Sequence, residues 1–132
     1  MLIDRGGGRI VNIASIAGKT GRGGLSAYCA SKSAVISFTQ ALAEELGPMN
    51  VAVNALCPGY IQTAMWTEVL NTVFAGMTGV PVERVFEDFV QRATYLKREQ
   101  TPEDIADAAA YLSRTENVTG ITLTLAGGDE VH

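Results

Sequence analysis

The fold follows from the segment RIVNIA at residues 9–14, which runs directly into Ser15. The segment is short, rich in β-branched residues and preceded by glycine, as is typical of a buried strand. Two later segments have the same character, VAVNAL at residues 51–56 and ITLTL at residues 121–125. We therefore predict three strands of one sheet.

Helical patterns separate the predicted strands. Small and apolar residues recur at spacings of three and four over residues 26–46, where a Gly-Pro pair ends the pattern. A second amphipathic stripe covers residues 82–90. A third helix is predicted to begin after Thr101, with Pro102 at its first position and Asp104 at the capping-box spacing. Alternating strands and helices indicate an α/β fold whose parallel strands are joined by right-handed crossovers.

The composition is that of an ordinary globular protein. The 132 residues are 47% hydrophobic and 18% charged, which predicts a single domain over residues 1–132. A net charge of −4 with scattered basic residues argues against a nucleic-acid surface. No apolar run approaches the roughly 20 residues of a membrane span, and the N-terminus lacks a signal-peptide core. We expect a cytoplasmic protein that binds neither nucleic acid nor a membrane.

Few residues here are suited to metal binding. His132 is the only histidine, which argues against a histidine-based metal site and against a Ser-His-Asp triad. Cys29 and Cys57 lack metal-ligand spacing, so we predict reduced, buried thiols. The sequence Gly-Lys-Thr at residues 18–20 imitates the end of a phosphate-binding P-loop, but Ile13 stands where the leading glycine is required. No metal site and no nucleoside-triphosphate site is predicted.

The strongest chemical pattern joins Ser15, Tyr28 and Lys32. Tyr28 and Lys32 are four residues apart near the start of the first predicted helix, so their side chains share a face. A phenol holds its proton too firmly to act as a base at neutral pH, and a nearby ammonium favours the phenolate. A serine at the adjacent strand end can hydrogen-bond the oxygen that gains or loses that proton. The three residues suit proton transfer that accompanies hydride transfer.

Four segments resemble the short-chain dehydrogenase/reductase family. Residues 7–15 resemble its strand and catalytic serine, and residues 26–34 resemble its catalytic helix. Residues 51–63 resemble the next strand with its Pro-Gly loop, and residues 117–128 resemble the last strand and its exit. The segments follow in family order and cover nearly the whole chain. The resemblance implies the C-terminal half of a doubly wound, Rossmann-like parallel sheet, with about three parallel strands and flanking helices.

The resemblance also implies a role for each matching residue. Ser15 would polarise the substrate oxygen, and Tyr28 would be the general acid and base. Lys32 would assist Tyr28, and both would contact the nicotinamide ribose of NAD or NADP. Four further residues would lie along the nicotinamide, and these are Pro58, Gly59, Ile61 and Thr63. The Ile61 backbone would meet the carboxamide and Thr63 the carboxamide or diphosphate side, although Pro58 and Gly59 suit a plain strand-to-helix turn equally well.

Some family features are not found in these residues. The family holds the cofactor diphosphate with a glycine-rich turn after its first strand. Here Gly6-Gly7-Gly8 precedes a strand, so we interpret it as a flexible lead-in. The family's Asn-Asn-Ala-Gly segment and its helix asparagine are also not found, and residues 1–5 resemble the end of that helix. We expect a chain that begins at an internal methionine and binds NAD(P) weakly by itself.

Residues 64–95 correspond to the family's substrate lid. Met65 and Trp66 would either line the substrate or pack in the core. Residues 57–68 resemble acetoin/2,3-butanediol and sorbitol-type dehydrogenases, so a small secondary alcohol or ketone is the first substrate class. The 3-oxoacyl thioester reductases of the same family are the second.

Three classes of function stay open at this point. The chain is an NAD(P)-dependent oxidoreductase that turns over once the rest of the cofactor site is supplied, or a catalytically silent assembly module, or a small-molecule binder. The resemblance implies homo-oligomers that pair through the catalytic helix or through the last helix and strand. The edge of the first strand is exposed to further pairing.

Overall fold

The computed structural model describes residues 2–130. Its strands are β1 (Gly8–Ile13), β2 (Val51–Pro58) and β3 (Thr122–Leu125), and they form one parallel sheet in the order β1-β2-β3. The three predicted strands are confirmed, each to within two residues at its ends. The prediction of an α/β fold with a parallel sheet and flanking helices is confirmed as well.

Four α-helices accompany the sheet: α1 (Ser26–Leu46), α2 (Asn71–Thr78), α3 (Val85–Ala93) and α4 (Pro102–Arg114). The predicted helix at residues 26–46 is confirmed at both ends. The predicted capping box is present at the start of α4, because Thr101 Oγ1 accepts from Asp104 N and the Asp104 carboxylate accepts from Thr101 N. The stripe at residues 82–90 becomes a short 3₁₀ turn followed by α3.

The segment between β2 and α3 is helical, which the sequence analysis did not predict. A π-helix at Met65–Leu70 runs directly into α2. The periodicity was obscured because a π-helix shifts the register of the apolar residues away from a spacing of 3.6. This segment packs as part of the molecule's larger hydrophobic cluster, whose buried members are Ile16, Tyr60, Trp66, Leu70, Phe74, Val85, Phe86, Val90 and Ala126.

A smaller cluster joins α1 to the sheet. Ala43 packs against Val51 and Val53 of β2, and these two valines are almost wholly buried. Thr39 is fully buried in the same helix, donates to Val35 O at 2.7 Å and accepts from the Asn12 amide at 2.9 Å. These contacts set the position of α1 above β1 and β2, and with it the position of the residues at the start of the helix.

The glycines at positions 6 to 8, the last of which begins β1, form an ordered turn rather than a flexible lead-in. Gly7 has a φ of 128°, and a side chain there would collide with the carbonyl oxygen of Asn50. Gly8 N donates to that oxygen at 3.1 Å, and the Asn50 amide donates to Gly6 O at 2.8 Å. Gly7 is therefore required by the close approach of two backbone segments, a constraint that local sequence does not reveal.

Candidate active site

Ser15 lies at the carboxyl edge of the sheet, immediately after β1. In an open α/β sheet this edge is where ligands bind. Ser15 is the N-cap of the 3₁₀ turn Ile16–Gly18, and its Oγ accepts a hydrogen bond from Ala17 N at 3.2 Å. The side chain is buried, and the accepted bond leaves the hydroxyl hydrogen to be donated to a ligand. The turn thus orients the hydroxyl.

Tyr28 and Lys32 extend from the first two turns of α1 toward the same edge. Lys32 Nζ donates to Ile13 O at 3.0 Å, which holds the ammonium at the end of β1. The same Nζ lies 5.8 Å from the centre of the Tyr28 ring. The predicted pairing of this tyrosine and lysine is thus present as a spatial contact. The ammonium lies over the ring of Tyr28 at the range of a cation–π contact.

Gly18 allows α1 to approach this close. A Cβ atom at Gly18 would lie 2.7 Å from the carbonyl carbon of Lys32, well inside contact distance. The hydroxyl of Ser33 donates to Gly18 O at 2.7 Å and fixes the approach from the helix side. The turn that carries Ser15 and the helix that carries Tyr28 are therefore in backbone contact.

A cavity of about 410 Å³ opens beside these residues. Ser15 and Tyr28 both line it, whereas Lys32 does not. The structure therefore brings Ser15 and Tyr28 to one cavity and places Lys32 beside Tyr28 outside that cavity. Trp66 and Met65 line the cavity too, and Trp66 is also in the larger core cluster, so it serves both of the roles considered for it.

The residues expected along the nicotinamide follow β2. Pro58 is the last residue of β2 and pairs with Leu125, and Gly59 N donates to Leu125 O at 2.8 Å. Gly59 is required there, since a Cβ atom would lie 2.8 Å from Ala126 Cα. Ile61 is half-buried and Thr63 is exposed, and neither lines the cavity. Of the four residues, the cavity meets Gly59 alone.

A buried glutamine pins the loop that holds these residues. Gln100 Oε1 accepts from Tyr60 N at 2.7 Å, and Gln100 N donates to Tyr60 O at 2.8 Å. Gln100 is buried, so both groups exchange hydrogen bonds away from water. The sequence analysis missed it, because the two residues are 40 positions apart and no local pattern links them.

The sequence analysis also missed a charged cluster at the mouth of the cavity. Arg22 Nη2 lies 3.0 Å from Asp129 Oδ2 and 3.0 Å from Glu130 Oε1. The hydroxyl of Tyr60 donates to Asp129 Oδ2 at 3.1 Å. Arg22 and Tyr60 both line the cavity, so the cluster closes one side of it. Chiefly through burial, and also through Asp129, the pKa of Tyr60 is raised well above its ordinary value of 10.0.

Cys57 lies beneath Ser15. The main chain of Ser15 hydrogen-bonds its sulfur, and the thiol is fully buried in β2. Burial raises the pKa of the Cys57 thiol above its ordinary value of 9.0, while the Ser15 bond and the charges of Lys19 and Lys32 lower it by less. Cys57 and Cys29 are both free and buried, as predicted.

Other kinds of site were sought over residues 2–130. No group of three or more histidine, cysteine, aspartate or glutamate side chains is arranged there to hold a metal ion. No helix in that range is both long and apolar enough to pass through a membrane. His132, used above to argue against a metal site and a triad, lies outside the described residues.

The geometry agrees with comparisons to known proteins. The family model described as short chain dehydrogenase matches residues 1–73, which contain Ser15, Tyr28 and Lys32. The chain is 34% identical to an acetoacetyl-CoA reductase of Allochromatium vinosum, with 99% of this chain and 49% of the relative covered.

Two solved structures resemble the chain closely. One is an actinorhodin polyketide ketoreductase variant with NADPH, which is 37% identical with a TM-score of 0.88, covering 96% of this chain and 48% of that one. The other is an NAD⁺-bound xylitol dehydrogenase, which is 32% identical with a TM-score of 0.87, covering 96% and 51%. The chain thus spans about half the length of the proteins it matches. Over that length, it belongs to the short-chain dehydrogenase/reductase family of oxidoreductases.

Proposed function

We propose that the chain takes part in the NAD(P)-dependent interconversion of a secondary alcohol and a ketone. The observation that carries this proposal is the shared cavity of Ser15 and Tyr28, with the Lys32 ammonium over the Tyr28 ring. A proton donor and an oriented hydroxyl that face one space are what a carbonyl oxygen requires during reduction.

Each of the three residues has a separate task in this proposal. Ser15 donates its hydroxyl hydrogen to the substrate oxygen, because the bond that its oxygen accepts from Ala17 N orients the hydroxyl and leaves its hydrogen available. Tyr28 gives a proton to that oxygen during reduction and removes it during oxidation. Lys32 is held by Ile13 O and stabilises the phenolate that Tyr28 becomes after it has given up the proton.

The residues present fit one end of NAD or NADP. Lys32 supplies an ammonium at the carboxyl edge of β1, and Tyr28 supplies a hydroxyl beside it, which suits the hydroxyls of a nicotinamide ribose. Pro58, Gly59, Ile61 and Thr63 would lie along the nicotinamide itself. When bound, the nicotinamide supplies or accepts the hydride.

The diphosphate end of the cofactor is not provided for in the same way. Within residues 1–132 we identify no glycine-rich turn of the kind that holds a diphosphate at a helix N-terminus. We therefore expect weak binding of NADH and NADPH by this chain alone, measured by calorimetry. Submicromolar affinity would contradict that expectation and would favour an enzyme that needs nothing further.

The reaction is tested by following NADH and NADPH absorbance with ketone substrates. The assay compares the chain alone with the chain mixed with a separately expressed glycine-rich N-terminal half of a family member. Tyr28→Phe is expected to abolish any turnover, because it removes the proton that reaches the substrate oxygen. Tyr95→Phe is the matched control, since Tyr95 is 73% exposed and does not line the cavity. Equal rates for Tyr28→Phe and wild type would reject the proposal.

Thioester reduction is the second candidate activity. The acetoacetyl-CoA reductase relative and the structural likeness to a polyketide ketoreductase favour it. A 3-oxoacyl thioester carries its ketone on an acyl chain, and the same three residues would serve that ketone. Comparing turnover of acetoacetyl-CoA with turnover of 2-butanone in the assay above separates the two substrate classes.

We also propose self-association through α1 or through α4 and β3. Large apolar side chains are exposed on both, with Phe38 59% exposed on α1 and Tyr111 56% exposed on α4. Exposed aromatic residues of this size are typical of interfaces. Light scattering on Phe38→Glu and Tyr111→Glu variants tests this, and an oligomeric state unchanged in both would contradict it. Association without turnover would support the alternative of an assembly module.

A further inference from the structure

The cavity has very few polar groups left to meet a ligand. Its polar side chains are Ser15, Tyr28, Arg22 and Tyr60, and the indole N–H of Trp66 adds one further donor. Arg22 Nη2 already holds two carboxylates, those of Asp129 and Glu130, each at 3.0 Å. The hydroxyl of Tyr60 is committed to Asp129 at 3.1 Å.

The positive charge of Arg22 is offset within the same cluster. Asp129 and Glu130 are more deeply buried than Arg22, with side chains 10% and 4% exposed against 35%. The guanidinium therefore faces two carboxylates across 3.0 Å and presents no uncompensated positive charge to the cavity. Arg22 therefore contributes little binding free energy to an anionic substrate in the cavity.

The rest of the wall is apolar and aromatic. Trp66 packs edge-on against Phe86 at 5.1 Å between ring centres and against Phe89 at 5.7 Å. Phe74, Leu70 and Val69 continue the wall from the adjoining helical segment. The volume of about 410 Å³ is ample for a ring or branched chain beside the reacting carbon.

Resting on the function proposed above, we propose that the cavity takes a ketone or secondary alcohol with one oxygen function and an aryl or branched alkyl substituent. The single oxygen meets Ser15 and Tyr28, and the substituent lies against Trp66. Polyols and open-chain sugars are disfavoured, because most of their further hydroxyls would lose water against a wall that is mainly apolar. Each such hydroxyl lowers affinity on the order of tenfold or more.

The proposed substrate differs from that of one protein to which the chain is similar. The xylitol dehydrogenase shares the fold, but the mainly apolar wall described here offers few partners to the several hydroxyls of a polyol. Much of the wall comes from the helical segment of residues 65–78, whose helices the sequence analysis did not predict.

The cavity provides its own reporter, because Trp66 is the only tryptophan in the chain. The experiment titrates the full chain with 1-phenylethanol and, separately, with xylitol, while the indole N–H signal of Trp66 is followed by NMR. We expect a saturable shift with 1-phenylethanol and at least a tenfold weaker response with xylitol. Equal or tighter binding of xylitol, or no shift with 1-phenylethanol, would overturn the inference.

A pair of variants tests the wall directly. Val69→Asn adds a polar group to the cavity wall at a position that is 52% exposed, so the fold tolerates it. It is expected to weaken 1-phenylethanol binding severalfold. Val73→Asn is the matched control, since Val73 is 41% exposed and does not line the cavity, and it should leave binding unchanged. Equal effects of both variants would count against the assigned wall.

The binding measurements with 1-phenylethanol and xylitol need neither cofactor nor turnover. Binding of 1-phenylethanol without any Tyr28-dependent turnover would leave the assigned cavity standing and reject the proposed reaction. Tyr28-dependent turnover of xylitol at a rate equal to that of 1-phenylethanol would support the reaction and reject the substrate class. The two proposals therefore fail separately.

Discussion

The hydroxyl of Tyr60 donates a hydrogen bond to Asp129, 3.1 Å away, across 69 positions of sequence. The bond joins the loop after β2 to the segment after β3 at the mouth of the cavity. Tyr60 is 7% exposed, and its pKa is raised by burial first and by the Asp129 carboxylate next. A phenol in this position stays protonated and keeps the contact.

Because the Cys57 thiol and the Tyr60 phenol are buried with raised pKa values, we expect the protein to lose stability in alkaline solution. The unfolded chain releases the Cys57 proton above a pH of about 9 and the Tyr60 proton above about 10, whereas the folded chain retains both. The unfolded state then binds fewer protons, so the free energy of unfolding falls as the pH rises. Urea denaturation at several pH values should show this fall.

Tyr60→Phe should make the fall shallower above a pH of about 10, because it removes one of the two groups. Tyr95→Phe is the control, as Tyr95 is 73% exposed. An identical pH dependence in wild type and Tyr60→Phe would show that burial of this phenol does not control alkaline stability.

Gly18→Ala should displace the start of α1. The new Cβ atom would lie 2.7 Å from the carbonyl carbon of Lys32, so either the turn or the helix must shift. We expect a loss of about 1–3 kcal/mol in the free energy of unfolding. Gly21→Ala is the matched control, because nothing lies within 4 Å of a Cβ atom there. If both variants unfold at the same urea concentration, the backbone contact is not required.

Asn54→Ala should destabilise the connection into β3. Asn54 is 1% exposed, its amide donates to Val118 O at 2.8 Å, and its Oδ1 accepts from Ile121 N at 3.2 Å. Removing the amide leaves both backbone groups without this partner, which costs about 1–3 kcal/mol for each group that stays unsatisfied. Asn117→Ala, at an exposed position, should change stability by less than about 0.5 kcal/mol. Thermal unfolding by circular dichroism compares the two, and equal stability would contradict the assigned role.

Trp66→Ala should be among the most damaging single substitutions. Four aromatic rings lie within 6.0 Å of the Trp66 ring between centres, so truncation opens a large void. The expected loss is about 3–5 kcal/mol. Met65→Ala, at the adjacent and 43% exposed position, should cost much less. Urea denaturation followed by circular dichroism measures both losses. A small effect of Trp66→Ala would mean that α2 and α3 pack together without this side chain.

Much of the fold could be predicted from local pattern. The strands have short β-branched segments, α1 has a long periodic stripe with a Gly-Pro stop, and α4 has a capping box beginning at Thr101. Each of these signals acts over a few neighbouring residues, so one sequence is enough to reveal it. The π-helix at Met65–Leu70 was not predicted, because its apolar residues do not recur at the spacing of an α-helix.

The candidate site, too, could be predicted from the sequence only in part. Tyr28 and Lys32 are one helical turn apart, so their contact follows from spacing. By contrast, the hydrogen bonds between Gln100 and Tyr60 join residues that are 40 positions apart in the sequence. The ion pair between Arg22 and Asp129 joins residues that are 107 positions apart. Such contacts depend on tertiary packing, so the residues next to them in the sequence do not predict them.

The aromatic wall around Trp66 has a consequence for how this protein can change. The same rings complete the larger hydrophobic core and shape the space beside Tyr28. Substitutions of these shared rings therefore change the substrate space and the stability of the fold together, whereas substitutions at exposed wall positions such as Val69 change the space alone. For the same reason, a molecule that fills the space stabilises the folded state, and the melting temperature rises with the logarithm of its concentration once that concentration exceeds the Kd.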